Sequence, residues 1–285
     1  MPITEIAARR GATLVQANGI DIAYTEVGDG PPLVLLHGAL ASTGPAWAGS
    51  PVAFVDHMHT LGKHFRVIAP DTRGSGATVH LGGPATFDVL ADDVAALIQA
   101  LKLDRPMIAG FSEGGATATY VALRYPDIVR ALVNHAGFDI FDPHAMAHQS
   151  VRPIFGGSPD ATSANPDAAE QAFQSIPPMA ATFATMKADY DDAQGDGHWR
   201  TYLGLFFDRA VAPVVYGVDN FAAITAPTLI LTGDRDMFCT VEAACAAYRP
   251  LQAGELGIVP GTGHEITTPI IDVMTAFLIR HSGTA

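Results

Sequence analysis

The stretch that most constrains this 285-residue chain is Pro106–Gly115. The apolar run Met107-Ile108-Ala109 suits a buried strand and meets Gly110-Phe111-Ser112-Glu113-Gly114-Gly115, with a helical pattern starting at once behind it. A serine at a sharp strand-to-helix turn is pushed out of the backbone's shelter, so its hydroxyl stands above the sheet. Gly110 and Gly114 fall where a side chain would collide with that turn, and Gly115 lets the helix pack closely. The five-letter pattern alone is common by chance and is usually a polar turn. The strand before it and the helix behind it are what make Ser112 a candidate nucleophile.

The remaining chain alternates in a way that supports this. Thr13–Asn18 and Ile20–Val27 read as a hairpin turning at Asn18-Gly19. Leu33–Leu36, Arg66–Ala69, Arg130–Asn134 and Pro227–Thr232 are short continuous apolar runs, the mark of strands covered on both faces. A plausible helix covers Val52–Leu61, and Phe87–Leu101 is amphipathic, with Leu90, Val94, Leu97 and Leu101 in step. A short strand at Leu256–Val259 and a helix at Ile270–Arg280 close the chain. Strand and helix in alternation predict an α/β fold with a mostly parallel sheet covered on both faces. Between Asp139 and about Tyr216 the alternation stops. Three helices are expected there (Asp167–Gln174, Met179–Tyr190, His198–Arg209), so residues 139–215 read as a helical cap inserted in a core of 1–138 and 216–285.

A serine needs a histidine to take its proton and a carboxylate to hold that histidine in the right tautomer. In a parallel sheet both belong in loops at the carboxyl ends of strands. Gly233-Asp234-Arg235-Asp236 follows one buried strand and Gly261-Thr262-Gly263-His264 follows the last. His264 is therefore the expected base. Asp236 is the preferred acid, because Asp234 lies so near the strand end that it could cap a turn or pair with Arg235; Asp139 and Asp142 are the remaining candidates. The developing oxyanion needs two backbone N–H groups. Glu113, at the start of the helix, offers one, and Ala39, just past His37-Gly38, the other. The Glu113 side chain has three readings: a helix cap, a solvent-facing group, or a repellent for anionic substrates.

Gly110-Phe111-Ser112-Glu113-Gly114, His37-Gly38, Asp71-x-Arg73-Gly74-x-Gly76, Gly233-x-x-Asp236 and Gly263-His264, taken together, resemble an α/β-hydrolase over roughly residues 12–137 and 216–281. The resemblance implies an eight-stranded, mostly parallel sheet and a serine hydrolase working through an acyl-enzyme. It also implies that Trp47 and Arg73 are structural marks of the fold. Ser112 stands where a haloalkane dehalogenase or epoxide hydrolase would be expected to carry Asp. The expected reaction is cleavage of an ester, lactone or thioester of a small, largely apolar substrate. The alternatives are C–C hydrolysis, cyanohydrin cleavage or perhydrolysis with the same triad, or a ligand receptor with vestigial activity.

Other features narrow the partners. Hydrophobic residues make 48% of the chain and charged ones 16%, which fits a globular protein. The net charge of −13, from 16 Lys+Arg against 29 Asp+Glu, repels phosphate backbones and anionic lipid heads, so nucleic acid and membranes are not expected partners. The oligomeric state, monomer or homodimer, stays open. Met1–Ala12 lacks a signal-peptide core, and a cytoplasmic location is expected. Cys239 and Cys245 read as reduced thiols. His57, His59 and His64 read as a solvated helix surface and not a metal site, and Asp191, Asp192, Asp196 and His198 as a solvent-facing loop. Gly28/Gly30 and Gly74/Gly76 lack the full dinucleotide fingerprint, so no cofactor is expected. Trp199, Tyr202 and Phe206 share a helix face, either packing within the cap or forming an apolar wall for substrate.

Overall fold

A computed structural model describes residues 2–283. A short helix, α1 (Ile3–Arg9), precedes the hairpin of β1 (Thr13–Ala17) and β2 (Ile20–Val27). The hairpin turns through Asn18 and Gly19, both with positive φ, as a tight two-residue connection requires. Then come β3 (Pro32–Leu36), the short α2 (Met58–Leu61), β4 (Arg66–Pro70), α3 (Phe87–Ala100), β5 (Met107–Phe111), α4 (Glu113–Arg124) and β6 (Leu132–His135). Four helices follow: α5 (Met146–Gly156), α6 (Pro166–Gln174), α7 (Pro177–Gln194) and α8 (His198–Ala210). The chain returns through β7 (Thr228–Gly233), α9 (Val241–Tyr248), β8 (Gly254–Val259) and α10 (Thr268–His281).

The eight strands form one sheet in the order β1-β2-β4-β3-β5-β6-β7-β8. β1 and β2 pair antiparallel, as do β2 and β4, and every later pairing is parallel. The fold is that of an α/β-hydrolase, as the resemblance implies. All residues of β5, β6 and β7 are buried, which is why their sequences are largely apolar runs. The strand order reverses between β3 and β5. That is the switch point where the crevice of a doubly wound sheet opens, and β5 ends there in Ser112.

The stretch between β6 and β7 holds four helices where three are expected. The additional one, α5, contains Pro153 and ends at Gly156-Gly157, so its sequence reads as a breaker region. The four helices carry an apolar cluster of their own, with Phe173, Phe183, Tyr190, Trp199, Tyr202 and Phe207 in it. That cluster runs on into Leu40, Ala41 and Trp47 of the segment after β3, joining helices and sheet end. Among the described residues no helix is long and apolar enough to cross a membrane.

Candidate active site

Ser112 sits between β5 and α4 with φ 53° and ψ −121°, a conformation an L-residue adopts only where the surroundings enforce it. They do. The Ser112 N–H donates to the His135 carbonyl at 2.8 Å, and the Ser112 carbonyl accepts from Ala116 N–H at 3.0 Å. A Cβ on Gly110 would lie 2.2 Å from the Gly114 backbone, and one on Gly114 2.3 Å from the Leu36 carbonyl oxygen. Both glycines are therefore required by close backbone approach, and the half-buried serine hydroxyl is turned outward.

His264 and Asp236 reach this point from the loops after β8 and β7. His264 Nε2 lies 3.1 Å from Ser112 Oγ, and His264 Nδ1 lies 2.8 Å from Asp236 Oδ2. Asp236 is buried, and its other oxygen accepts from the Phe238 and Cys239 backbone N–H groups, each at 2.9 Å. Burial pushes the carboxyl up. The hydrogen bond and charge of His264, with the two N–H groups, outweigh burial and leave Asp236 below its usual range. The imidazole is held between the rings of Phe111 and Phe238, with centroids 4.7 and 5.1 Å away. A carboxylate on Nδ1 fixes the proton there, so Nε2 faces the serine as an acceptor. Asp234 instead accepts from Gly261 N–H at 2.6 Å and stands 3.8 Å from Arg235, tying the loops after β7 and β8 together. Asp139 is buried in the turn after β6, and that burial pushes its carboxyl up.

The segment after β3 is fixed from below by His37. Its Nε2 accepts from Thr72 N–H at 3.0 Å, which leaves Nδ1 to donate to the Gly38 carbonyl at 2.7 Å. Leu40 then takes a positive φ of 64°. The Leu36 and His37 carbonyls lie against Gly114, so the segment that carries Ala39 leaves β3 beside the first turn of α4, whose first N–H groups lack intrahelical acceptors. Arg73 and Trp47 are both tied into the frame. Arg73 forms a buried two-point pair with Asp93 of α3, at 2.5 and 2.8 Å, and Trp47 Nε1 donates to Asp189 at 3.1 Å.

Glu113 neither faces solvent nor caps the helix. Its side chain is buried and paired with Arg209 of α8, at 2.5 Å to Nη2 and 2.7 Å to Nε. A partner 96 positions away leaves no local trace in the sequence. The face of Trp199, Tyr202 and Phe206 divides. Trp199 packs against Phe183, with Lys187 and Arg200 over its ring, and Phe206 packs against Phe155. Tyr202 is fully buried, and its hydroxyl accepts from Leu40 N–H and faces Glu113. The stretch expected to be a solvent-facing loop is instead the end of α7 and the start of α8, and it is partly engaged: Asp192 pairs with Arg9, and His198 Nε2 lies 2.8 Å from the Gly74 carbonyl. Arg10, Asp189, Tyr190 and Arg209 carry no motif and are not singled out by the sequence. Among the described residues no group of three or more His, Cys, Asp or Glu side chains is arranged to hold a metal ion, and both cysteines are free.

The profile of the alpha/beta hydrolase fold matches residues 31–267. The 2-hydroxy-6-oxo-6-(2'-aminophenyl)hexa-2,4-dienoic acid hydrolase of Metapseudomonas resinovorans is 28% identical over 260 residues, covering 88% of this chain and 83% of that protein. The 2-hydroxy-6-oxo-2,4-heptadienoate hydrolase of Pseudomonas putida F1 is 37% identical over 139 residues, 46% of each chain. The solved meta-cleavage product hydrolase of Pseudomonas fluorescens IP01 superimposes with a TM-score of 0.73 at 19% identity, over 94% of this chain and 96% of that one. At that identity the superposition speaks to fold alone.

Proposed function

Because the chain belongs to the α/β-hydrolase fold family, we propose that it is a cofactor-independent serine hydrolase cleaving an ester, lactone or thioester of a small, uncharged, largely apolar substrate. The observation that carries this reading is the continuous line Ser112 Oγ–His264 Nε2, His264 Nδ1–Asp236 Oδ2, at 3.1 and 2.8 Å. Ser112 attacks the substrate carbonyl as His264 takes its proton, and Asp236 stabilises the imidazolium. The carbonyl's electron pair moves onto its oxygen, facing the Ala39 and Glu113 N–H groups. Collapse of this intermediate expels the leaving group, which takes the proton from His264. Water, deprotonated by the same histidine, then releases the acid and restores Ser112. The four helices within 139–215 act as a cap over this site.

The relatives' names favour a second reading, hydrolysis of a C–C bond in a dienoate. Such a substrate carries a carboxylate, which a buried site must meet with a cation or several donors. Here the buried arginines Arg10, Arg73 and Arg209 are each already paired, with Asp189, Asp93 and Glu113. That charge balance favours the uncharged ester. The test compares p-nitrophenyl esters of graded chain length with a 2-hydroxy-6-oxo-dienoate, alongside fluorophosphonate labelling. Ester turnover above dienoate turnover, with both labelling and turnover falling about 10⁴-fold or more in Ser112→Ala, is the expected result. Dienoate turnover without ester turnover would transfer the assignment to C–C hydrolysis. Turnover unchanged in Ser112→Ala would remove the serine mechanism.

A further inference from the structure

Three consecutive residues of the segment after β3 are held by side chains from the cap. The Tyr202 hydroxyl of α8 accepts from Leu40 N–H at 3.1 Å. The Tyr190 hydroxyl of α7 donates to the Ala41 carbonyl at 2.8 Å. Asp189, also of α7, accepts from Ser42 Oγ at 2.7 Å. All three cap residues are buried, and the rings of Tyr190 and Tyr202 meet edge to face at 4.8 Å. Tyr202 has a second contact. Its hydroxyl has one proton, and Glu113 Oε2 lies 3.4 Å away as an acceptor. Glu113 is in turn clamped by Arg209, which lies further along the same cap helix.

We propose that Tyr202 is a positioning residue that sets the spacing of the oxyanion hole, so that cap docking and oxyanion-hole assembly are one event. The inference rests on the serine-hydrolase reading, in which Ala39 and Glu113 donate to the oxyanion. Ala39 is bonded in sequence to Leu40, whose N–H the tyrosine holds. Glu113 is held through its carboxylate by the same hydroxyl and by Arg209. One cap helix thus grips both halves of the hole. A hydrogen bond that is optimal only when charge has developed on the substrate oxygen acts on the chemical step and not on ground-state binding. Arg209 also neutralises charge: without it an uncompensated Glu113 carboxylate would sit beside the forming oxyanion and oppose it.

The decisive variant is Tyr202→Phe, which removes one oxygen and keeps the ring. Active sites are first counted by fluorophosphonate stoichiometry in wild type and variant, and kcat is expressed per labelled serine. The expected result is a fall in kcat of about 10- to 100-fold, at or below the loss of an oxyanion-hole donor itself, with KM changed less than about twofold. Affinity for a trifluoromethyl ketone, which forms a tetrahedral adduct with the serine, should fall by the same factor as kcat/KM. A role confined to stability would lower the melting temperature or the labelled fraction and leave kcat per labelled serine unchanged; that result overturns the proposal. The second comparison uses Arg209→Met against Glu113→Gln/Arg209→Met. Recovery of kcat per labelled serine in the double variant supports the charge argument, and equal loss in both overturns it. Failure of wild-type Ser112 to react with the probe overturns the hydrolase reading and this inference together. A reactive wild type with an unaffected Tyr202→Phe overturns the inference alone.

Discussion

His135, the last residue of β6, is fully buried, its carbonyl accepts from Ser112 N–H, and neither ring nitrogen has a hydrogen-bond partner. Its ring lies 4.8 Å from that of Phe111, the residue before Ser112. Burial, with a smaller push from His264 and against the pull of Asp236, takes its pKa down to about 3. The fold thus keeps the imidazole neutral, while the unfolded chain takes up a proton below about pH 6.5. Stability from this group is therefore complete above pH 6.5 and is lost as the pH falls toward 3. Between pH 7 and pH 4 the loss amounts to roughly 3 kcal/mol. Replacing an unpaired buried polar ring by an apolar side chain removes this liability at small cost. His135→Leu should match or exceed wild-type stability at pH 7 and show a flatter acid limb. Urea unfolding at pH 7, 5 and 4 checks this; parallel acid limbs in the two proteins would refute it.

At the scale of the element, the strand–serine–helix turn shows what a sequence can and cannot disclose. Its glycines are legible because their reason is local: the Gly110 Cβ that is missing would strike the Gly114 backbone, four residues on. Gly110→Ala should therefore cost about 1–3 kcal/mol from overpacking and, by tilting the serine, lower kcat about 100-fold. Thermal melting and kcat per labelled serine report the two effects separately. A variant with wild-type kcat would mean that the turn yields without moving Ser112. The buried strands are legible for the same kind of reason, since an apolar run records burial on both faces. So are Asp236 and His264, which topology places at strand ends. Helix α5 is not, because Pro153 and Gly156-Gly157 imitate a loop while packing holds the helix. Nor is the buried pairing of Glu113. Its partner Arg209 is remote in sequence, and a lone arginine in an amphipathic helix looks like any other surface charge.

For the whole molecule, the question is what joins helices α5–α8 to the rest of the chain. Two ion pairs span from the N-terminal segment to α7, and they are not equal. Arg9 and Asp192 are about half exposed, so solvent screens them and their contribution is small. Arg10 and Asp189 are 5% and 1% exposed, and Asp189 also accepts from Ser42 and Trp47. Removing the arginine strands a buried carboxylate. Arg10→Met should cost about 3–5 kcal/mol and lower the melting temperature by roughly 10 °C at pH 7, while Arg9→Met changes either by little. The double variant Arg10→Met/Asp189→Asn tests the cause. Recovery of stability once the stranded charge is removed assigns the loss to the unpaired carboxylate, and an undiminished deficit assigns it to packing around the arginine stem instead. The same variant bears on catalysis, because Asp189 holds Ser42, two residues beyond Leu40. Loosening α7 at this seam should lower kcat per labelled serine in Arg10→Met, and the double variant should regain it in step with its stability; wild-type kcat per labelled serine in Arg10→Met would separate this seam from catalysis.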